Sequence, residues 1–343
     1  MKLPPSQVCI CIPAYNAEGT LAATLDSILA QTYQHIKVVV VDNASTDDTY
    51  KIASGYAEKD ARVSVSRNPE NIGGEGNFTR CIELASGDYT AIFHSDDIYS
   101  SDMVARQVDL LDGAPQAGVV FTMAVNIDSV GREGKVHVLP KDLKPGEDGL
   151  YGFDAVFNAM LRNGNFLFCP SAMVRTNIYK EHIKVWDTGS YATSSDADVW
   201  LRILSKFKAG IINEPLLRYR VAQASFSYTA ARLRTAPHDM LRVFRHYIGL
   251  IGANVIAPDQ MRDFRLLVLK DTINRAFNLF LGGRSKEARL LLSDLFRFET
   301  LSLVLARPDF VKFYAFGFSV YLLCILPLPK RYRMSLGGLR YHG

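Results

Sequence analysis

The chain has 343 residues, 48% hydrophobic and 22% charged, a composition that excludes a disordered or collagen-like polymer and is long enough for one large domain plus an appendage. The net charge of +4 hides a division: residues 1–230 hold 21 Lys+Arg against 27 Asp+Glu, while residues 231–343 hold 18 against 8. An acidic part thus precedes a part of net +10, and the two parts are expected to meet different partners.

Val8 to Ile12 alternates as a strand and runs into Pro13-Ala-Tyr-Asn16; apolar residues at helical spacing from Thr20 to Gln31 then predict a helix. A second buried strand, Ile36 to Val41, ends at Asp42-Asn43, and Asp47 and Asp48 are expected in the first turn of the helix that follows. Val63 to Ser66 is a short third strand. It leads through Asn71-Ile-Gly73 into a helix that stops at Gly87. Tyr89 to Phe93 is the fourth strand, and it ends in His94-Ser-Asp-Asp97.

Strand and helix alternating over the first hundred residues predict a parallel α/β sheet. Ligands of such sheets sit beyond the carboxyl ends of the strands, where this chain places polar or Gly-rich loops four times. Two adjacent carboxylates there suit a divalent cation that offsets diphosphate charge, and they equally suit the cap of a helix from Ser101.

Further along, a strand is expected over Val119 to Ile127, a charged excursion over 131–149, and a helix over 153–161. A strand at Ala172-Met-Val precedes Ser195-Asp196-Ala-Asp198, which opens an amphipathic helix; Gly210 to Ile212 and Leu216 to Arg220 are expected as the last two short strands. Beyond residue 230 the pattern is helical, at 237–251, 259–281 and 285–298. Phe313 to Leu328 carries no charge and precedes Pro329-Lys-Arg-Tyr-Arg333. Sixteen residues at ~1.5 Å each fall short of a ~30 Å hydrocarbon core, so shallow association with an anionic membrane surface or burial in the fold are the two readings. No nucleic acid partner is expected.

The five cysteines show no framework spacing and the N-terminus no apolar signal segment, which together point to the cytoplasm.

The pieces Ile12-Pro-Ala-Tyr-Asn16, Val40-Val-Asp-Asn-Ala-Ser-Thr-Asp47, Asn71-Ile-Gly73 with Leu84-Ala-Ser-Gly-Asp88, Ser95-Asp-Asp97 and Ser195-Asp-Ala-Asp-Val-Trp-Leu-Arg202 resemble, in order, the motifs of a family 2 glycosyltransferase of the GT-A fold, of the kind that builds bacterial surface polysaccharides. The resemblance spans residues 8–220. It implies a Rossmann-like, mostly parallel sheet flanked by helices over 1–230; the helical, basic appendage over 231–343 lies outside it, and the segment at 313–333, read from its own apolar and basic residues, is a candidate for contact with the cytoplasmic face of the inner membrane. It further implies that Pro13, Tyr15, Asn16, Asp42, Asn71, Gly73, Ser95 and Asp97 line a nucleotide sugar, with Asp42 accepting from the N–H of uracil or thymine. Asp96 would ligate Mn²⁺ or Mg²⁺, and Asp196 would be the catalytic base of an inverting transfer from a UDP- or dTDP-sugar to a saccharide or lipid-linked saccharide. His94 stands where the family has the first Asp of its metal motif, either as a ligand, a ribose contact or a packed residue. Ser195 replaces a Glu, and Ala222 a His. These departures keep a second reading open, a degenerate domain that binds nucleotide without turnover. A nucleotidyltransferase and a dehydrogenase are disfavoured, because no Gly-rich phosphate loop follows the first strand.

Overall fold

The computed structural model describes residues 4–186, 189–221, 234–252, 255–326 and 329. Two compact units divide the chain, one comprising Met1–Ala159 with Asn165–Ala222, the other Met160–Gly164 with Gln223–Gly343.

The first unit opens with β1 (Val8–Ala14), α1 (Leu21–Leu29), β2 (Ile36–Asp42), α2 (Thr49–Lys59), β3 (Val63–Arg67), α3 (Gly73–Leu84) and β4 (Tyr89–Ile92). Isoleucine and valine fill β1 and β2 because both faces of these strands are covered, and every residue of β1 except Pro13 is buried. Strands β3, β2, β1 and β4 lie side by side and parallel. The chain leaves α3 through Gly87 at φ +72, where an added Cβ would lie 2.6 Å from the Gln7 carbonyl oxygen. Only glycine fits that turn.

After β5 (Ile98–Tyr99) and α4 (Met103–Gly113) come β6 (Ala117–Ile127), β7 (Glu133–Val136), α5 (Phe153–Asn163), β8 (Met173–Arg175), α6 (Ser195–Leu204) and β9 (Lys208–Arg220). Strand β8 enters antiparallel between β4 and β6, and β9 runs parallel to β6. The sheet order is β3-β2-β1-β4-β8-β6-β9-β5, with β7 on β6. Parallel ladders hold most of its paired residues. The core beneath it joins Ile10, Ile12, Leu21, Leu25, Val38 and Phe93, with the Phe93 and Tyr99 rings stacked at 3.9 Å.

Several expectations need correction. Strand β9 is one strand of 13 residues, not two short ones. Asn213, Glu214 and Pro215 interrupt the apolar pattern, but β9 bulges there opposite Thr122 and Met123 and its ladder to β6 continues beyond. The excursion over 131–149 contributes β7. Helix α2 begins at Thr49, after Asp47 and Asp48, because the Asp47 carboxylate accepts from Thr49 N at 3.0 Å outside the helix.

The second unit carries α7 (Asp239–Ile251), α8 (Pro258–Leu281), α9 (Ser285–Leu291), α10 (Phe298–Leu305) and α11 (Val311–Leu323). Pro258 opens α8 at its first position, and Gln260 turns back to accept from Ala257 N at 3.1 Å. Ile273, Phe277, Phe280, Leu295 and Val320 form this unit's core. The helix expected over 285–298 breaks into α9 and a 3-10 turn at Ser293–Phe296, and Arg297 then turns extended, at φ −77 and ψ 138, to cap α10. Helix α11 has 13 residues and ends at Leu323, and among the described residues no helix is long and apolar enough to cross a membrane. The basic cluster Lys330 to Arg333, like Ala222, lies outside the described residues.

Candidate active site

The ladder registers put four loops on one rim. Ala14 pairs with Asp42, Asp42 with Arg67, and Phe93 N donates to Cys11 O, so the carboxyl ends of β1 to β4 finish level. Side chains then tie the loops together. The Asn16 Oδ1 accepts from Thr46 N at 2.9 Å, Ala17 N donates to Thr49 Oγ1 at 2.7 Å, and Thr20 Oγ1 donates to Ser95 O at 2.9 Å. Thr24 Oγ1 reaches Asp97 O at 2.8 Å. Asn16 takes φ +47, a left-handed conformation that asparagine tolerates better than most residues. Pro13 is half-buried at the base of this loop and Tyr15 half-exposed at its mouth.

Asp42 is fully buried, and its Oδ2 has no hydrogen-bond partner. Oδ1 accepts from Ser45 N at 3.3 Å, and the Arg67 Nε stands 3.0 Å from Oδ2. Arg67 also donates to Ser45 O and lies over the Tyr50 ring at 4.6 Å, which fixes its guanidinium beside the carboxylate. Next to this pair the buried Asn43 uses its whole amide. It donates to Asn71 Oδ1 and Gly73 O, and accepts from Asn68 Nδ2 and Ile72 N. The Asn71 Oδ1 also takes Gly73 N at 2.9 Å, and Gly73 sits at φ +80. The loop before α3 is therefore held at fixed height above Asp42 by amides alone.

The ligand atoms of His94, Asp96 and Asp97 all lie within 4.8 Å of one another. Arg220, at the end of β9, braces the group: its N–H donates to Asp97 Oδ1 and its Nε to Asp96 O, both at 2.7 Å. Tyr99 OH accepts from His94 N at 2.7 Å. The His94 Nε2 and Asp97 Oδ2 are buried polar atoms without a hydrogen-bond partner. Burial holds the His94 imidazole below its ordinary value, against the pull of Asp96, so it is neutral at neutral pH and offers a lone pair. Burial, then the Asp96 charge, push the Asp97 carboxyl well above the carboxylate range. Two orphaned buried atoms beside an acidic oxygen set fit a divalent cation of the Mn²⁺ or Mg²⁺ type.

Asp196 lies in the first turn of α6, and its Oδ2 accepts from Asn165 Nδ2 at 2.9 Å. Burial raises its pKa from 3.8 to about 6, opposed by the Ala197 N–H and the Asn165 amide. A carboxylate poised there is suited to accept a proton near neutral pH. Burial, and then the charges of Asp196 and Asp97, push the Cys169 thiol up. Asp198 instead pairs with Arg202 Nε at 2.8 Å, and Trp200 is fully buried; both serve packing.

Thus the structure brings Pro13, Tyr15, Asn16, Asp42, Asn71, Gly73, His94, Ser95, Asp96 and Asp97 to one rim, while Asp196 stands in the first turn of α6 against Asn165. Ser95 contributes its carbonyl to the frame. Three residues that sequence reasoning passed over belong here as well: Arg67, Asn165 and Arg220. Arg67 falls at the end of a parallel strand, a signal that was present. Asn165 and Arg220 carry none, since only the tertiary fold sets them against Asp196 and Asp97.

The sequence model of the family described as Glycosyl transferase family 2 matches residues 9–183. The UDP-Glc:alpha-D-GlcNAc-diphosphoundecaprenol beta-1,3-glucosyltransferase WfaP of Escherichia coli is 30% identical over 223 residues, 64% of this chain and 79% of that protein. Among solved structures, S. aureus TarS 1-349 in complex with UDP superposes with a TM-score of 0.52 at 16% identity, over 98% of this chain and 93% of that one. Mannosyltransferase PcManGT from Pyrobaculum calidifontis, in complex with GDP-Man and Mn2+, gives 0.55 at 17% identity, over 95% and 89%. These two likenesses speak for the GT-A fold. With the family match covering half of the sequence, the chain belongs to glycosyltransferase family 2.

Proposed function

We propose that the protein moves a sugar from a UDP- or dTDP-sugar to a hydroxyl of a lipid-linked saccharide, inverting the anomeric carbon, in the assembly of a surface polysaccharide. The observation that carries this reading is Asp196, held by Asn165 in the first turn of α6 and raised to about 6.

In this reading Asp196 takes the acceptor hydroxyl proton as that oxygen bonds to the anomeric carbon, and the nucleoside diphosphate departs with the electron pair of the broken bond. The donor base lies by Asp42. The Asp42 Oδ2 carries no hydrogen bond and stands beside the Arg67 guanidinium, which sets an acceptor next to a donor, the pattern that matches the N–H and carbonyl of an imide. Guanine asks for two acceptors side by side and fits less well. Pro13, Tyr15, Asn16, Asn71, Gly73, Ser95 and Asp97 frame this pocket. Asp96, with His94 beside it, would hold the cation, which when bound offsets the charge of the diphosphate. The acceptor class follows from the diphosphoundecaprenol acceptor in the name of WfaP.

The test is transfer by the purified full chain from a panel of UDP-, dTDP- and GDP-sugars to a lipid-diphosphate saccharide with Mn²⁺ or Mg²⁺. Product of inverted anomeric configuration supports the proposal. Retained configuration overturns the displacement, and nucleotide binding with no turnover favours the degenerate domain.

A further inference from the structure

The second unit turns apolar side chains outward along α10 and α11. On α10, Phe298, Leu301 and Leu305 recur at three- and four-residue spacing; Phe298 is 83% and Leu305 65% exposed, while Val304 between them is buried. On α11 and just past its end, Phe318, Leu322 and Ile325 repeat the outward pattern as Val320 and Cys324 pack inward. Phe296 joins the two helices, with its ring 5.6 Å from Phe318 and 4.7 Å from Tyr321. A surface helix commonly wets one side with polar residues, whereas the exposed side of α11 sets Lys312 and Ser319 among Val311, Ala315, Phe318 and Leu322. Single exposed leucines are ordinary, but a contiguous face is not.

We propose that this face docks, lying in the plane of the interface, on an anionic phospholipid surface. An apolar face could otherwise meet a second copy, and charge decides between them. Residues 231–343 hold 18 Lys+Arg against 8 Asp+Glu, so two copies would bring +10 against +10, while anionic headgroups attract the same region. Cationic groups border the face. Lys312 is exposed in the first turn of α11, the Lys270 amine stands 5.8 Å over the Phe313 ring, and the sequence after α11 continues with Lys330, Arg331 and Arg333. Nearby acids are largely neutralised, Asp294 by Arg297 at 2.9 Å and Asp309 by Arg307 at 2.7 Å, with Glu299 exposed on α10. The docking widens the membrane contact expected of residues 313–333 to α10 and the turn before it. It stands independently of the catalytic reading and places the enzyme where a lipid-linked acceptor would be met.

The experiment is flotation of the full chain with vesicles containing about one-third phosphatidylglycerol, against pure phosphatidylcholine. The chain should float with the anionic vesicles and be released by salt. A Phe298→Ser, Leu305→Ser, Leu322→Ser variant should partition at least about tenfold less, with nucleotide binding and transfer to a water-soluble acceptor unchanged. Equal flotation of that variant, or equal binding to phosphatidylcholine, overturns the proposal; so does a dimer that the variant dissolves in a protein that stays off vesicles. Phe298→Trp gives a second readout against the constant background of the buried Trp186 and Trp200. Its emission should shift to the blue on anionic vesicles and be quenched by brominated lipid, and unchanged emission refutes the docking.

Discussion

Replacing Asp196 with asparagine keeps the shape of the side chain and removes the proton acceptor. A positioned general base contributes about 10²–10⁴ in rate, or roughly 3–6 kcal/mol at ~1.4 kcal/mol per decade, so kcat/KM should fall by that factor. Stability should move the other way. The carboxyl is raised from 3.8 to about 6 because burial disfavours its charge. Above about 6, where it is ionised in both states, the group therefore costs the folded state on the order of 3 kcal/mol, which a neutral amide accepting from Asn165 relieves. The assays are initial rates of nucleoside diphosphate release with acceptor and thermal unfolding of the same preparations. In the unaltered enzyme kcat/KM should rise with pH up to about 6 and level off above it, since the base works only when ionised. A variant within about tenfold of the parent, or a profile flat through that range, refutes Asp196 as the base.

Other outcomes follow from the same geometry. Asp96→Asn should abolish cation-dependent nucleotide binding by calorimetry, while His94→Asp, which supplies a second hard carboxylate, should tighten Mn²⁺ by about tenfold or more; weaker binding in His94→Asp would assign the imidazole as the better ligand. Asn43→Ala orphans the Asn68 amide and Ile72 N–H that it now satisfies, so denaturant unfolding should register a loss of about 2–4 kcal/mol, with weakened nucleotide binding. Gly87→Ala forces a Cβ against the Gln7 carbonyl at φ +72 and should cost about 2 kcal/mol or more without changing the nucleotide affinity of what remains folded. Arg67→Ala should weaken UDP while leaving Mn²⁺ binding intact, because Arg67 engages Asp42 and not the His94 group.

What could be read in the sequence divides along physical lines. The β1 to β4 half was legible because its signals are local: buried strands of β-branched residues, helical spacing between them, and polar loops recurring at the strand ends. Asp42, Asp96 and Asp196 each stand at such an end or at a helix mouth, so position and residue type pointed to them together. The second half of the sheet depends on long-range pairing. Nothing local says that β8 inserts antiparallel between β4 and β6, or that β6 tolerates the Asn213-Glu214-Pro215 interruption of β9. The partners of the candidate groups were hidden for the same reason. Arg220 reaches Asp97 across 123 residues and Asn165 reaches Asp196 across 31, distances at which periodicity carries no information. The break of the last helices at Ser293 to Arg297 was lost in an apolar pattern that continues through it.

The central claim is that one rim holds base, diphosphate and proton acceptor together. A crystal structure of the full chain grown with UDP and Mn²⁺ addresses it directly. The uracil should lie against Asp42 and Arg67, and the diphosphate should meet a cation held by Asp96, with Asp196 open across from it. Nucleotide density away from these side chains, or a cation that ignores Asp96, would contradict it.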